Sequence, residues 1–331
     1  MKELLQPGIL GTGSYLPKRV MTNFDLEKIV DTNNEWIIKR TGIKERRIAG
    51  PEIATSDMAT EASIKAIEDA GLTAKDIDLI IVATTTPDMP FPATACIVQG
   101  NIGATQAAAF DLEAACSGFV YGITVASQFI ATGFYKNIIV VGADCLSRVT
   151  NWKDRNTCVL FGDGAGAVVM GRVPDGEGML SHYLGADGTG GKSVLLPAGG
   201  SRLPASHETV EKGLHAIQMD GSEVFKFATR AMYSAAIEAI DKAGLSLEDV
   251  DLMIPHQANI RIIEAARKKI NLPLEKVYIN LDRYGNMSAA SIPVALDEAV
   301  KSKMVKKGDH IVLVGFGGGL TWGSCVLEWS K

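Results

Sequence analysis

The sequence lacks the features of a secreted, a membrane-spanning or a metal-binding protein. No apolar run is long enough to cross a bilayer, and Pro7-Gly8 interrupts the N-terminus before a secretory segment could form. The cysteines are odd in number and contain no C-x-x-C pair; they are Cys96, Cys116, Cys145, Cys158 and Cys325. Free thiols in a reducing compartment fit this set better than a disulfide framework or a zinc site. We therefore expect a cytoplasmic protein without a metal site.

A large positive charge is also missing. The 331 residues carry a net charge of −5 with no long basic block, which argues against a nucleic-acid binder. Gly11 and Gly13 form a G-x-G, but the third glycine and the helix of a dinucleotide fingerprint are absent, so we assign no nucleotide site there. With 47% hydrophobic and 21% charged residues, the composition is that of a globular protein with one large or two coupled domains.

Helix and strand patterns alternate along the chain. Helical spacing of apolar residues over Asp57–Ala70 is followed by the strand IDLIIVATTT. A largely apolar helix over Phe119–Gly133 is followed by a buried strand over Asn137–Gly142. Such alternation is typical of a layered α/β fold.

The chain repeats itself at a fixed offset of 173 residues. The segment AIEDAGLTAKDIDLIIVA (66–83) aligns with AIDKAGLSLEDVDLMIPH (239–256), with nine of eighteen positions identical. NIIVVGA (137–143) aligns with HIVLVGF (310–316) in the same register. Two copies with so long a period predict similar halves packed face to face around a pseudo-twofold axis, and not a solenoid. We place the boundary in the turn-rich VPDGEG, which gives halves of residues 1–176 and 177–331.

The repeat also locates differences between the halves. Cys116 aligns with Ala289, and His256 aligns with Ala83, so each half keeps a polar residue where its copy has alanine. His256 follows the strand VDLMIP, at the carboxyl end where α/β sheets bind ligands. Asn286 lies three residues before the equivalent of Cys116. Pseudosymmetry therefore predicts that the helix starts beside Cys116 and Asn286 approach each other, with His256 nearby.

These three residue types suggest covalent acyl chemistry. Cys116 precedes a helix, whose dipole favours a thiolate that could attack a carbonyl or a thioester. His256 and Asn286 can both donate hydrogen bonds to an enolate oxygen, and the glycine run GFGGG (315–319) could offer an N–H to an oxyanion. Each residue alone has a plainer interpretation: a small core cysteine, a satisfied core histidine, a helix cap and a bend in a strand. A papain-like hydrolase uses the same three residue types, although neither cysteine-protease signature occurs here.

Six segments of the chain match, in order, the motifs of one enzyme family. They are NEWIIKRTGIKERR (34–47), EAACSGFVYG (113–122), FGDGAGA (161–167), PHQANIRII (255–263), YGNMSAASIP (284–293) and GFGGGLTWG (315–323). Together they closely resemble β-ketoacyl-acyl-carrier-protein synthase III, the initiating condensing enzyme of bacterial fatty-acid synthesis. The resemblance implies a thiolase fold, in which two duplicated βαβαβαββ halves form a five-layered αβαβα arrangement. This fold agrees with the internal repeat.

By this resemblance Cys116 is acylated by a short acyl-coenzyme A in a ping-pong reaction, with the coenzyme A thioester as a substrate and no cofactor. Malonyl-acyl-carrier protein then loses carbon dioxide, and His256 and Asn286 stabilise its enolate. Attack of the enolate on the acyl-cysteine gives a β-ketoacyl-carrier protein, with the N–H groups of Cys116 and Gly318 as the oxyanion hole. The elongating synthases have a second histidine in place of the asparagine. Plant-type polyketide synthases share the Cys-His-Asn set, yet PHQANIRII and GFGGGLTWG resemble synthase III.

The resemblance also implies binding residues around the reacting groups. Trp36, Arg40 and Arg155 match residues that flank the adenine and phosphates of coenzyme A; their plainer interpretation is a surface aromatic with ordinary surface cations. Phe91 matches a residue of the acyl pocket that crosses from the partner in a homodimer, and plain core or interface packing is its alternative.

A set of basic residues is the expected docking site for an acidic carrier protein. It consists of Lys226, Arg261, Arg267, Lys268 and Lys269. A run of charges is usually a solvated helix face, but on an acidic protein it makes a docking patch that acts by electrostatic steering.

Two other functions stay open at this point. One is an acyltransferase of the same fold that moves an acyl group to oxygen or nitrogen without condensation. The other is a catalytically inactive paralogue that acts as a binding or scaffold subunit. The intact Cys116, His256 and Asn286 argue against the inactive paralogue.

Overall fold

The computed structural model describes residues 4–331, so the first three residues of the predicted N-terminal half lie outside it. Strands occur in both halves of the chain. In the first half they are β1 (Pro7–Tyr15), β2 (Arg19–Thr22), β3 (Glu45–Ile48), β4 (Leu79–Ala83), β5 (Ala108–Leu112), β6 (Ile138–Cys145) and β7 (Asp163–Arg172). In the second half they are β8 (Gly178–Ala186), β9 (Val194–Leu195), β10 (Gln218–Met219), β11 (Leu252–Pro255), β12 (His310–Gly317) and β13 (Thr321–Glu328).

Helices alternate with these strands. In the first half they are α1 (Asn23–Leu26), α2 (Asn34–Thr41), α3 (Thr55–Asp69), α4 (Thr94–Ile102) and α5 (Gly118–Ala131). In the second half they are α6 (His207–Glu211), α7 (Gly221–Lys242), α8 (Ile260–Ile270), α9 (Leu281–Tyr284) and α10 (Ser291–Lys301). Two short 3-10 turns precede α5 and α10, and we name them the first crossing turn (Ala115–Ser117) and the second crossing turn (Ser288–Ala290). Within residues 4–331, every helix is too short or too polar to span a bilayer.

Apolar side chains form three main cores that separate five layers. The first sheet packs against α3 on its outer face, where Met58, Ala62 and Ile80 are buried. The inner faces of the two sheets enclose α5 and α10, with Phe119 and Leu296 among the buried residues. The outer face of the second sheet is covered by α7 and α8. This order of helix and sheet layers confirms the predicted αβαβα thiolase fold.

Both sheets use the same strand order. The first runs β1-β7-β6-β4-β5, and the second runs β8-β13-β12-β11. Leu79 pairs with Ile138 in the first sheet, and Leu252 pairs with Ile311 in the second, at the offset of the sequence repeat. The equivalent of β5 is reduced to a single bridge between Met253 and Val277. The βαβαβαββ pattern is therefore shortened at one edge of the second half.

The repeat extends to an uncommon backbone conformation. Ala115 and Ser288 begin the two crossing turns, and both have a φ of +47°, a left-handed value that non-glycine residues seldom adopt. The helices that follow begin at Gly118 and Ser291, again at equivalent positions. The offset found in the sequence therefore holds for β4 with β11, for β6 with β12, for the two crossing turns and for the starts of the helices that follow them.

Each crossing turn lies against a strand end of the other half. A Cβ added to Gly142 of β6 would lie 2.1 Å from the carbonyl oxygen of Ala289 in the second crossing turn. A Cβ added to Gly317 of β12 would lie 2.6 Å from the nitrogen of Cys116 in the first crossing turn. Side chains cannot approach backbone atoms so closely, so only glycine permits both contacts.

Helix caps connect the two halves at a second place. Asn33 accepts a hydrogen bond from the N–H of Trp36 at 2.8 Å and caps α2. Asn259 accepts one from the N–H of Arg261 at 2.9 Å and caps α8. The Asn259 amide also donates to the carbonyl of Arg40 at 3.2 Å. The start of α8 is therefore fixed to the end of α2.

We predict that Gly142→Ala destabilises the fold at the contact between the halves. The added methyl group has no room beside the Ala289 carbonyl, so the free energy of unfolding should fall by about 1–3 kcal/mol or more. Urea denaturation measures this change. The matched control is Gly100→Ala in α4, where nothing lies within 4 Å of the added atom and stability should rise by about 0.5–1 kcal/mol. Equal stability of the two variants would contradict the prediction.

Candidate active site

One cavity collects residues from both halves of the chain. Its volume is about 980 Å³, and Cys116, His256, Asn286 and Gly318 all line it. The first comes from the first crossing turn, whereas the other three come from segments of the second half. The structure thus brings together the four residues to which the sequence assigned chemical roles.

Cys116 is the middle residue of the first crossing turn and stands two residues before α5. The hydroxyl of the neighbouring Ser117 lies 2.8 Å from both the Ala114 carbonyl oxygen and the Thr321 hydroxyl. Thr321 belongs to β13, so the turn is fixed by a residue of the other half. The residue as a whole is partly exposed and lines the cavity.

The Cys116 thiol is protonated at neutral pH. Burial raises its pKa to about 12; the hydrogen bond from Ser288 acts in the opposite direction, and the Asp144 carboxylate adds to the rise. The prediction that the helix dipole gives a resting thiolate is therefore wrong, because desolvation of the charged sulfur is the larger effect. The thiol must lose its proton during the reaction itself.

His256 directly follows β11 and is buried. Its N–H donates to the Val314 carbonyl at 2.8 Å, and its ring Nδ1 lies 2.7 Å from the Ser291 hydroxyl. The ring of Phe316 packs edge-on against it, with 5.1 Å between ring centres. Burial lowers the pKa of His256 to about 3, so the imidazole is neutral at physiological pH. With Nδ1 engaged by Ser291, Nε2 is the ring nitrogen available to a ligand.

Asn286 is held on three sides by backbone groups. Its N–H donates to the Leu160 carbonyl at 2.8 Å, and its carbonyl accepts from the Gly162 N–H at 3.0 Å. Its side-chain Oδ1 accepts from the Ser288 N–H at 2.8 Å. The plainer interpretation as a cap of the following helix is therefore wrong, because Ala290 is the N-cap of α10; Oδ1 instead holds the backbone at the start of the second crossing turn. Because Oδ1 is engaged, the Nδ2 amide remains as a donor on the cavity side.

Gly318 follows β12 and lies beside the first crossing turn. A Cβ added to Gly318 would lie 3.8 Å from the Cβ of Ala115. The preceding Gly317 leaves the Cys116 N–H uncovered, since any side chain there would collide with that nitrogen. The glycine run therefore provides more than a bend in a strand: it keeps backbone donors accessible next to the thiol.

Trp36 and Arg40 also line the cavity, whereas Arg155 lies behind Trp36. The guanidinium carbon of Arg155 is 4.4 Å from the centre of the Trp36 ring, and that of Arg40 is 6.0 Å away. Arg155 is also 3.7 Å from the carboxylate of Asp31. The three predicted coenzyme A residues thus form one cluster of an aromatic ring and two cations.

The predicted docking cations fall into two groups. Lys226 and Arg261 line the cavity, whereas the other three lie on the last turn of α8. Arg267 is only 17% exposed and pairs with Glu264 at 2.7 Å, while Lys269 lies over the Tyr233 ring at 4.2 Å. The structure therefore leaves Arg267 less accessible than a docking residue was expected to be.

Phe91 lies apart from this cavity. Its side chain is 83% exposed, in the connection between β4 and α4. It does not contact the cavity of its own chain among the described residues, so any role in the acyl pocket requires a second copy of the chain.

Several residues of the site were missed by the sequence analysis. Ser291 contacts His256, Ser288 contacts Cys116, and Lys192 lines the cavity. The repeat carried a signal for one of them, since Ser288 aligns with Ala115 as a polar residue opposite alanine. Lys192 had no such signal. Over residues 4–331 no group of three or more His, Cys, Asp or Glu side chains is arranged to hold a metal ion.

Comparison with known proteins finds one family in both halves of the chain. The family model described as 3-oxoacyl-[acyl-carrier-protein (ACP)] synthase III matches residues 110–188, and its C-terminal counterpart matches residues 240–329. A beta-ketoacyl-[acyl-carrier-protein] synthase III from Caldanaerobacter subterraneus subsp. tengcongensis is 65% identical over 331 residues, covering 100% of both chains. The protein of the same name from Clostridioides difficile is 60% identical over 323 residues, covering 98% of each. A crystal structure of 3-oxoacyl-[acyl-carrier-protein] synthase III from Aquifex aeolicus VF5 matches with a TM-score of 0.91 and 50% identity, covering 98% of this chain and 100% of that one.

We predict that the rate of alkylation of Cys116 by iodoacetamide rises about tenfold per pH unit from pH 6 to pH 10 and reaches no plateau. The reason is that only the thiolate reacts and that the pKa of the thiol is about 12. Mass spectrometry of the labelled peptide follows the rate. Cys116→Ala is the control that identifies this peptide, since its signal must then disappear. A plateau near pH 7 would restore the thiolate hypothesis.

Proposed function

The chain belongs to the 3-oxoacyl-[acyl-carrier-protein] synthase III family, and we propose that it catalyses the condensation through Cys116, His256 and Asn286. It is an acyltransferase-type condensing enzyme that initiates fatty-acid synthesis, as the resemblance predicted. The observation that carries the assignment of residues is the cavity itself. A thiol, a neutral imidazole and a carboxamide donor, contributed by both halves, line one enclosed space.

The first half-reaction transfers an acyl group to Cys116. The sulfur attacks the carbonyl carbon of a short acyl-coenzyme A, and the thiol proton leaves as the S–C bond forms. The N–H groups of Cys116 and Gly318 stabilise the oxyanion. The Cys116 N–H is accessible to it because Gly317 has no side chain. Collapse breaks the bond to coenzyme A, whose sulfur takes up one proton. The step therefore consumes no net proton and needs no resident cofactor.

The second half-reaction uses the two donors of the second half. The carbonyl oxygen of the malonyl thioester accepts hydrogen bonds from Nε2–H of His256 and Nδ2–H of Asn286. The bond to the carboxylate breaks, carbon dioxide leaves, and the electron pair forms an enolate whose oxygen these donors stabilise. The enolate carbon attacks the acyl-cysteine, and collapse breaks the S–C bond to give a β-ketoacyl-carrier protein. The expelled sulfur takes up one proton from water and becomes a thiol again. A neutral imidazole suits this role, because the Ser291 hydroxyl can donate to Nδ1 and leave the proton on Nε2.

We assign the cluster of Trp36, Arg40 and Arg155 to coenzyme A. Adenine is a flat, polarisable ring that can stack on Trp36 or on the guanidinium of Arg155, which lies over the Trp36 ring at 4.4 Å. Arg40 is then placed to pair with a phosphate. The stacked pair must separate or turn to accept the adenine between its members.

We assign carrier-protein docking to the cations beside the cavity and on α8. Lys226 and Arg261 line the cavity, where the carrier's phosphopantetheine arm would enter, while Lys268 and Lys269 extend the positive surface along α8. Arg267 adds charge behind them and holds the helix end through the Leu272 carbonyl at 3.1 Å. Opposite charges steer the acidic partner more than they hold it.

Phe91 and the homodimer belong together in the proposal. The exposed ring is placed to enter the acyl pocket of a second copy, because it cannot reach the cavity of its own chain. The homodimer and the cytoplasmic location remain predictions from the sequence.

We predict that Cys116→Ala abolishes acylation, whereas Asn286→Ala still forms the acyl-cysteine but lowers condensation by about 10²–10³-fold, the effect of losing one oxyanion donor. Mass spectrometry after incubation with acetyl-coenzyme A measures the adduct, and product formation after addition of malonyl-carrier protein measures condensation. Cys96→Ala, which removes an exposed thiol, is the matched control and should change neither step.

Equal loss of both steps in Asn286→Ala would contradict its assigned role. An adduct in the unmodified protein that never yields a β-keto product would identify an acyltransferase without condensation. A protein that forms no adduct would be a scaffold.

We predict that Lys268→Glu raises the KM for malonyl-carrier protein several-fold at low salt and makes the KM less dependent on salt, because an attractive rim charge that salt can screen has been removed. Acylation by acyl-coenzyme A should be unchanged, since Lys268 lies outside the cavity. The matched control is Lys136→Glu, an exposed lysine at the start of β6, opposite the strand end that meets the crossing turn. If both variants raise the KM equally, net charge and not docking is responsible.

A further inference from the structure

Asp144 is a carboxylate in the protein interior with no cation beside it. It lies near the end of β6 with no exposed surface, and no lysine, arginine or histidine of the described chain forms an ion pair with it. Its Oδ1 accepts hydrogen bonds from the hydroxyls of Thr84, Thr85 and Thr86 at 3.1, 2.9 and 2.9 Å, and from the Thr85 N–H at 2.8 Å. Burial raises the pKa of Asp144, and these hydrogen bonds act in the opposite direction because they stabilise the carboxylate.

The second carboxylate oxygen reaches across the contact between the halves. Oδ2 of Asp144 accepts a hydrogen bond from the N–H of Ala289 at 3.2 Å. The preceding N–H of the same crossing turn, from Ser288, donates to Oδ1 of Asn286. Two successive N–H groups of the turn are therefore engaged, one by the side chain of Asn286 and one by Asp144. The carboxylate and the Asn286 amide fix the same short piece of backbone.

Ser288 connects this carboxylate to the thiol. The Ser288 hydroxyl lies near both groups and lowers the pKa of the Cys116 thiol and that of the Asp144 carboxyl. The hydroxyl of Ser288, a residue of the second half, thus lies between two groups of the first half, the Cys116 thiol and the Asp144 carboxylate. A movement of the second crossing turn would therefore change the surroundings of the Cys116 sulfur as well as the position of Asn286.

The repeat shows what the carboxylate does at its own turn. Asp144 is equivalent to Gly317, just as Ala289 is equivalent to Cys116. In the second crossing turn, the N–H of the middle residue Ala289 donates to the Asp144 carboxylate. In the first, the N–H of the middle residue Cys116 is left uncovered by Gly317. The same backbone geometry therefore binds an internal anion in one half and is open to a substrate oxygen in the other.

We propose that Asp144 is a positioning residue of the active site, which anchors the second crossing turn so that the Asn286 amide faces the cavity and the Ser288 hydroxyl stays on the Cys116 thiol. This rests on the proposed function for the role of Asn286, whereas the effect on the thiol does not depend on it. Asp144 touches no substrate. It acts through the Ala289 N–H and through Ser288.

Asp144→Asn tests the proposal, because the amide keeps the shape but cannot accept from both the Thr85 N–H and the Ala289 N–H. We expect acylation of Cys116 by acetyl-coenzyme A to persist and condensation with malonyl-carrier protein to fall by about 10- to 100-fold, since the donor Asn286 is displaced. Asp163→Asn is the matched control. Asp163 is equally buried, but it accepts its N–H bonds from Ala49 and Ser147 and none from the second crossing turn. This control should keep the ratio of condensation to acylation even if it lowers stability.

Alkylation of the thiol gives a second readout that a purely structural role would not move. The groups that act on the thiol are the Asp144 and Glu113 carboxylates and the Ser288 hydroxyl, and the neutral His256 lines the same cavity. A negative charge opposes thiolate formation, so Asp144→Asn should shift the alkylation profile of Cys116 to lower pH. Ser288→Ala removes a donor to the thiolate and should shift the profile to higher pH. Asp163→Asn should leave it unchanged.

A wild-type profile and a wild-type ratio of the two steps in Asp144→Asn would overturn the proposal, as would equal effects in Asp163→Asn. If Asp144→Asn does not fold, Ser288→Ala decides: an unshifted profile refutes the link to the thiol. If the unmodified protein forms no acyl adduct, the proposed function fails, while the alkylation profiles still test Asp144.

Discussion

The active site depends on the close contact between each crossing turn and a strand end of the other half. Gly142 and Gly317 permit this contact because they have no Cβ; a Cβ at either position would collide with the backbone of the opposite turn. The contact places the Cys116 N–H beside the glycine run of β12, and the turn that follows Asn286 beside the end of β6. Neither half alone contains the complete set of reacting groups. The fold therefore makes the site by apposition, and tight backbone packing sets its geometry.

Burial controls the charge state of the site. It raises the pKa of Cys116 to about 12 and lowers that of His256 to about 3, so both groups are neutral at rest. A neutral pair costs little to keep in a partly enclosed cavity, whereas a thiolate beside an imidazolium would have to be desolvated as two ions. Charge then develops only when a thioester supplies the carbonyl that accepts it. Backbone and side-chain donors that are already fixed stabilise this charge without reorganisation.

The sequence predicted the backbone arrangement around the site better than the protonation states of its side chains. The offset of 173 residues aligns the crossing turns, two pairs of parallel strands and the helix starts that follow the turns, because a duplicated segment keeps its local backbone. The same comparison singled out Cys116 and His256, since each stands opposite an alanine. It did not predict the protonated thiol, because burial results from the packing of both halves and has no local signature. The pairing of Arg267 with Glu264, which lies three residues earlier on α8, could have been read from helical spacing.

Symmetry explains why a few substitutions could divide the labour between two similar halves. The two crossing turns share a left-handed first residue and a following helix, so each offers an N–H at its middle residue to an anion. At Cys116 that N–H stays open, and the side chain is the proposed nucleophile. At Ala289 it is occupied by Asp144, and the turn serves to hold Asn286. In the proposed mechanism one turn binds a transient oxyanion and the other is a fixed support, although both begin with the same left-handed φ.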